Sequence, residues 1–174
     1  MSRFNYACLV AVVLVIVRLG SLSAAEPGPK GGFRNSKWGD HPSPQMRPIG
    51  TRAGMDAYGD VDRPSGRVAG IDTFLIQYLF WRGRFCRVDI NWKADDAERA
   101  TIVAILSREW GTPDESSPGL GVDTIESWRW FSRDRKTKAW LHRIDIVERS
   151  EEGLWQLIIQ EEKCSQEAAH DSGL

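Results

Sequence analysis

The sequence predicts an α+β fold: an antiparallel β-sheet made of a hairpin and a three-strand meander, with one main amphipathic helix packed on it. Three observations carry this. Asp72 to Trp92 holds two runs of aromatic and β-branched residues around Trp81-Arg82-Gly83-Arg84, where glycine supplies the positive φ of a tight hairpin turn. Asp95 to Trp110 has helix punctuation at both ends: Asp95 and Glu98 spell a capping box, and Gly111 with Pro113 gives a stop. Three strand-like runs then follow, Thr124 to Phe131, Thr137 to Glu148 and Leu154 to Glu161, joined by polar turns at Ser132 to Lys136 and Arg149 to Gly153.

The chain begins with a pattern of a different kind. Arg3 makes a short positive region, Ala7 to Val17 are apolar without interruption, and Ser23-Ala24-Ala25 offers small residues where a signal peptidase reads. Residues 1–25 are therefore expected to be a secretory signal peptide, cleaved between Ala25 and Glu26. The apolar run is about half the ~20 residues a bilayer span needs, and Arg18 stops its extension, which disfavours a retained anchor. Cys8 stands at the start of the apolar run and not directly after it, so it does not serve as a lipoprotein cysteine. Residues 26–32 read as a Pro/Gly linker, 33–163 as a single α+β domain, and 164–174 as a polar tail without order.

Export fixes the arithmetic of charge and thiols. Cleavage leaves 149 residues with 21 basic and 24 acidic side chains, a net charge of −3. That near-balance argues against nucleic acid as an electrostatic partner. Two cysteines remain, Cys86 and Cys164, and an even count in an oxidising compartment invites a disulfide. Spacing alone leaves a bridge and two unpaired thiols both open. Arginine outnumbers lysine 15 to 6 after cleavage, a bias that base composition explains as readily as anion recognition.

Within the domain, 39–70 is rich in Pro and Gly. A structureless loop of that length is unusual in a compact domain, so short strands are expected near Met46 to Ile49, Ala57 to Val61 and Arg67 to Gly70. In the hairpin, a two-residue turn places Leu75, Gln77, Leu79 and Trp81 on one face with Cys86, Val88, Ile90 and Trp92, the expected core face. The opposite face carries Phe74, Ile76, Tyr78, Phe80 and Phe85 and calls for cover by another element. In the helix, Ile102, Leu106 and Trp110 recur at i, i+4 and i+8, flanked by Val103 and Ile105. In the meander, alternation groups Trp128 with Trp130, Trp140 with Ile144 and Ile146, and Trp155 with Leu157 and Ile159.

Phe33-Arg34, Lys37-Trp38-Gly39-Asp40, Tyr78 and Phe80 running into Gly83-Arg84-Phe85, Val88-x-Ile90, and Trp110-Gly111-Thr112-Pro113 together resemble a family of uncharacterised exported bacterial proteins with an F-R-x-x-x-W-G pattern near the mature N-terminus. The order of elements is similar to the small α+β modules of β-lactamase inhibitory proteins and of the small lipoprotein of the outer-membrane barrel assembly machinery. The resemblance implies a fold and sheet-mediated protein binding, with no activity to transfer. An aromatic is expected at the place of Cys86.

Residues that carry chemistry are sparse. His41, His142 and His170 have no metal-ligand spacing, and His142 reads as a half-buried structural imidazole. Ser127, Ser132 and Ser150 lack a nucleophile elbow. Asp56, Asp60 and Asp62 around Gly59 lack an EF-hand pattern, and Gly119-Leu120-Gly121 lacks the third glycine of a nucleotide fingerprint. No catalytic residue, cofactor or metal ligand is assigned. One pattern remains: both expected hairpin tips are basic, Arg82 and Arg84 at one, Arg133, Arg135, Lys136 and Lys138 at the other. Projecting from one edge, they would form a cationic rim. The sequence thus leads to a periplasmic or secreted, non-catalytic module that binds another envelope protein through an aromatic and arginine-bearing sheet surface, with no membrane span after cleavage. The alternative is a periplasmic hydrolase or small-molecule-binding protein with a pocket between helix and sheet.

Overall fold

A computed structural model describes residues 31–60, 66–68, 70–117, 126–144 and 153–173. The signal peptide with its Ala25 and Glu26 junction, Asp62, Gly119, Gly121, Ile146 and Ser150 lie outside the described residues. Two short strands, β1 (Gly32–Phe33) and β2 (Ser36–Lys37), lead into β3 (Met46–Arg52) and β4 (Met55–Asp60). A minor pair, β5 (Gly66–Val68) and β6 (Ile71–Thr73), precedes the long hairpin β7 (Leu75–Trp81) and β8 (Arg84–Ala94). Helix α1 (Asp96–Trp110) follows, then β9 (Glu115–Ser117), β10 (Ser127–Phe131), β11 (Thr137–Arg143), β12 (Gly153–Glu161) and α2 (Glu162–Ser172).

Eight strands form one antiparallel sheet in the order β3-β4-β7-β8-β12-β11-β10-β9. The α+β class, the hairpin, the helix and the meander are all present, and the sheet is wider than the sequence suggests. Strands β3 and β4 extend one edge, and β9 extends the other. Alpha helix α1 begins where its capping box places it, with Asp95 accepting from the Glu98 N–H at 2.8 Å and Glu98 returning the bond to the Asp95 N–H. Its Ile102 and Leu106 are buried against the sheet.

The face assignment of the hairpin is corrected. Arg82 and Gly83 both have positive φ, 50° and 73°, so Trp81 pairs with Arg84 and Phe80 with Phe85 across a two-residue turn. The next pair is Leu79 with Arg87, which leaves Cys86 as an extra residue in a β-bulge. One inserted residue reverses side-chain parity for everything below it. Ile76, Tyr78, Phe80, Phe85, Val88, Ile90 and Trp92 therefore share the core face beneath α1, while Leu75, Gln77, Leu79 and Cys86 point the other way. The apolar face thought to need cover is the core itself.

On that core face Trp92, Trp130 and Trp155 are fully buried, and Trp110 of α1 meets Trp130 edge-on at 5.9 Å. The Phe33 and Trp38 rings close the same layer, against Tyr78 at 6.0 Å and Phe85 at 4.8 Å. The F-R-x-x-x-W-G segment is thus architectural, its Gly39 N–H bonded to the Phe85 carbonyl at 2.9 Å.

The polar tail is the second correction. Residues 162–172 form α2, opened by the Glu161 side chain accepting from the Cys164 N–H at 2.6 Å and closed by Gly173 in the left-handed region. Its Cys164 and Ala168 are buried against Met55, Ala57, Leu79 and Cys86 on the second face of the sheet. A disulfide joins Cys86 to Cys164 with Cα atoms 5.6 Å apart. Eleven mostly polar residues make a marginal helix alone, and the bridge is what anchors it.

Candidate functional site

Alpha helix α2 covers only part of the second face. Beside it, strand alternation lays polar residues in rows across the sheet. Registers align Gln77, Asp89, Ile158, Trp140, Arg129 and Glu115 in one row, and Leu75, Asn91, Gln156, His142, Ser127 and Ser117 in the next.

At the centre is Asp89, whose side chain has no exposed surface. Its carboxylate accepts two bonds from Arg87, at 2.5 and 2.9 Å, the bidentate geometry that suits a guanidinium. Arg52, from edge strand β3, approaches it at 3.2 Å, and the Gln156 amide donates to it at 3.4 Å. Arg52 also bonds Gln77 at 3.2 Å, and Gln156 bonds Asn91 at 3.3 Å. Two guanidinium groups around one carboxylate leave an excess positive charge. Farther along the row Arg129 pairs with Glu115 at 2.8 Å and lies over the Trp140 ring at 5.1 Å. Trp140 in turn stacks on His142 with centroids 4.1 Å apart.

Several donors here end without a partner. Asn91 Nδ2, Trp140 Nε1 and Arg129 Nε are buried atoms that bond nothing among the described residues, and so is His142 Nδ1. Buried donors of this kind are costly to leave unmade.

His142 is buried, as the sequence suggests, and its ring is stacked on Trp140. Ser127 sits directly across the strand from it, yet no hydrogen bond joins His142 to Ser127 or to a carboxylate among the described residues. Asp89, the nearest buried carboxylate, is held by its arginines. Burial lowers the His142 pKa below its usual 6.5, against the Trp140 carbonyl and Asp89, which pull it up. The folded state therefore prefers the neutral ring. Its contribution to stability is complete above the unfolded pKa and declines as pH falls below about 6.5. Urea midpoints measured from neutral pH down to about pH 5 are expected to fall more steeply for the wild type than for His142→Gln; parallel slopes would overturn this.

The basic tips do lie together. Antiparallel order puts the β7–β8 and β10–β11 turns at the same end of the sheet, with β12 between them. Their charge is largely answered there: Arg82 pairs with Asp171 of α2 at 2.7 Å, Arg135 with Asp114 at 3.6 Å, Lys136 with Asp134 at 3.5 Å and Lys138 with Glu162 at 3.4 Å. Arg133 also has an interaction partner. Arg84 is exposed at the same end. The rim is a mixed-charge network.

A cavity of about 210 Å³ opens between α1 and the core face, lined by Phe33, Arg34, Val68, Leu106, Trp110 and Ile159, with Glu109 at its wall. It lies across the sheet from His142, so a hydrolase gathering that imidazole into a helix–sheet pocket is not what the fold provides. Asp56 and Asp60 both belong to β4, four residues and ~13 Å apart along an extended strand, too far to share an ion. His41 sits by the hairpin turn near Gly83, and His170 on α2 is exposed.

Sequence reasoning named neither Asp89 nor Arg52, Arg87, Asn91 and Gln156. The signal was present in the alternation Arg87-x-Asp89-x-Asn91-x-Lys93, opposite the apolar positions of β8. Comparison with known proteins finds no matching family model, no matching curated protein and no matching solved structure. The likeness to exported bacterial proteins rests on the quoted motifs alone.

Proposed function

We propose that this protein is an exported, non-catalytic binding module of the cell envelope, and that its working surface is the polar second face of the sheet, which receives an acidic segment of another envelope protein. The observation that carries this is the pair Arg52 and Arg87 around a single buried aspartate, with Arg129 farther along the same face and unpartnered buried donors on Asn91 and Trp140. Guanidinium groups and amide donors on one face match carboxylates and backbone carbonyls in geometry and charge. The N-terminal pattern of residues 1–25 and the Cys86–Cys164 bridge support export to an oxidising compartment. Among the described residues no helix is long and apolar enough to cross a membrane.

The surface differs from the aromatic one expected from the tryptophan count. All eight tryptophans are buried or half-buried, and the large hydrophobics exposed among the described residues are Ile49 and Phe74. Recognition by this face is therefore polar, with Trp140 stacked on His142 among its polar side chains.

A photo-crosslinking residue placed at Arg129 in cells is expected to give one discrete adduct whose partner contributes an acidic segment. The same residue at Arg108, exposed on the far side of α1, is expected to give none. Equal adducts from both positions, or no adduct from Arg129, would overturn the assignment.

A further inference from the structure

The cavity under α1 has a composition of its own. Leu106, Trp110, Leu157, Ile159, Val68 and Phe33 give it apolar walls drawn from helix, sheet and N-terminal segment. Two charged side chains of opposite sign also line it, Arg34 and Glu109, both with exposed surface. They stand on different elements, and no ion pair joins them to each other or to any other described residue. Arg34 is held in place by its surroundings. Its guanidinium lies so close to Gly66 that a Cβ there would sit 2.7 Å from Nη2. It also lies 5.4 Å from the Phe33 ring centroid. Glycine at 66 thus opens the seat that fixes the charge at the cavity.

Size narrows the occupant. A dry apolar cavity of about 150 Å³ holds benzene, and drug-sized ligands need about 300 Å³ or more. At about 210 Å³ the space suits a molecule of the size of leucine or phenylalanine. We propose that this cavity is a binding site for a small zwitterion with an apolar body, an apolar amino acid in the simplest case. Arg34 takes its carboxylate, Glu109 takes its ammonium, and the side chain enters between Leu106, Trp110 and Ile159. The two charges of the site and the two of the ligand are complementary, and each pair forms at a mouth beside low-dielectric walls, where charge-assisted bonds gain strength. This site lies on the opposite face of the sheet from the polar row, and the two proposals stand or fall separately.

Calorimetric titration of the chain, purified as it occurs in the cell, tests it with leucine, phenylalanine, glycine, N-acetyl-leucine and leucinamide as probes. Leucine or phenylalanine is expected to bind saturably, and glycine, which has no apolar body, at least about tenfold more weakly. Arg34→Met is expected to weaken leucine at least about tenfold while leaving leucinamide unchanged. Glu109→Gln is expected to weaken leucine while leaving N-acetyl-leucine unchanged. Both substitutions are at exposed positions that leave the core intact. The proposal is overturned if neither leucine nor phenylalanine binds at millimolar concentration, or if the capped probes bind the wild type as tightly as leucine does.

Discussion

Replacing Cys86 and Cys164 together by alanine is expected to lower the unfolding free energy by about 4.5 kcal/mol, the chain-entropy value for a loop of 78 residues. That is a large share of the 5–15 kcal/mol typical of a domain. The number has a structural counterpart. Alpha helix α2 meets the sheet through Cys164 and Ala168, over Met55, Ala57, Leu79 and the bulged Cys86. Isolated helices of this length are marginal in water, so without the bridge α2 must hold its place on a few small side chains, the part-buried Lys138–Glu162 ion pair and the exposed Arg82–Asp171 pair, which is worth little at the surface. The urea midpoint of the double variant, or of the reduced wild type, measures the loss, and the slope with denaturant should rise because the uncrosslinked chain unfolds to a more open state. Amide exchange in 162–172 should rise before the rest of the sheet opens. A midpoint within error of the oxidised protein would show that packing alone seats the helix.

The bulge that carries this bridge also explains how far the sequence could be read. Alternation within each strand was legible: Val88, Ile90 and Trp92 share a face, as do Leu157 and Ile159. The pairing between strands was not, because one extra residue at Cys86 reverses the parity of the hairpin and nothing local to the sequence marks it. An apolar residue at 86 serves either face. Helix α1 was legible to its caps because Asp95, Glu98 and Gly111 act locally. Helix α2 was hidden because its order comes from the covalent tie and the surface beneath it, not from a continuous apolar stripe. The polar row was half visible. The β8 alternation Arg87, Asp89, Asn91 shows which residues share a face, but Arg52 and Gln156 arrive from strands 37 residues before and 67 residues after Asp89, and only the register of the folded sheet brings them together.

Asp89→Ala is expected to cost about 3 kcal/mol, near the lower end of the range for removing one partner of a buried ion pair. Its carboxylate is wholly buried, and the Arg87 side chain is 15% exposed, so the variant leaves a guanidinium facing Gln156 and Arg52 with no counter-charge. Arg52, 42% exposed at the sheet edge, can turn to water, which moderates the loss. Arg87→Leu alone leaves Asp89 with Arg52 and Gln156 as its partners and should cost less. The pair Asp89→Leu with Arg87→Leu is the informative variant. Removing both charges at once relieves their desolvation and fills the space with apolar atoms, so the double variant should be more stable than either single one. Denaturant midpoints of the wild type, Asp89→Leu, Arg87→Leu and the double variant close the cycle; additive losses would mean that the two side chains act independently. The cycle also separates stability from use. If the apolar pair restores the fold yet abolishes the adduct formed from position 129, the charges at the centre of the sheet are maintained for the partner. If the adduct survives, recognition lies along Trp140 and Arg129, and the aspartate is there to hold two arginines in place.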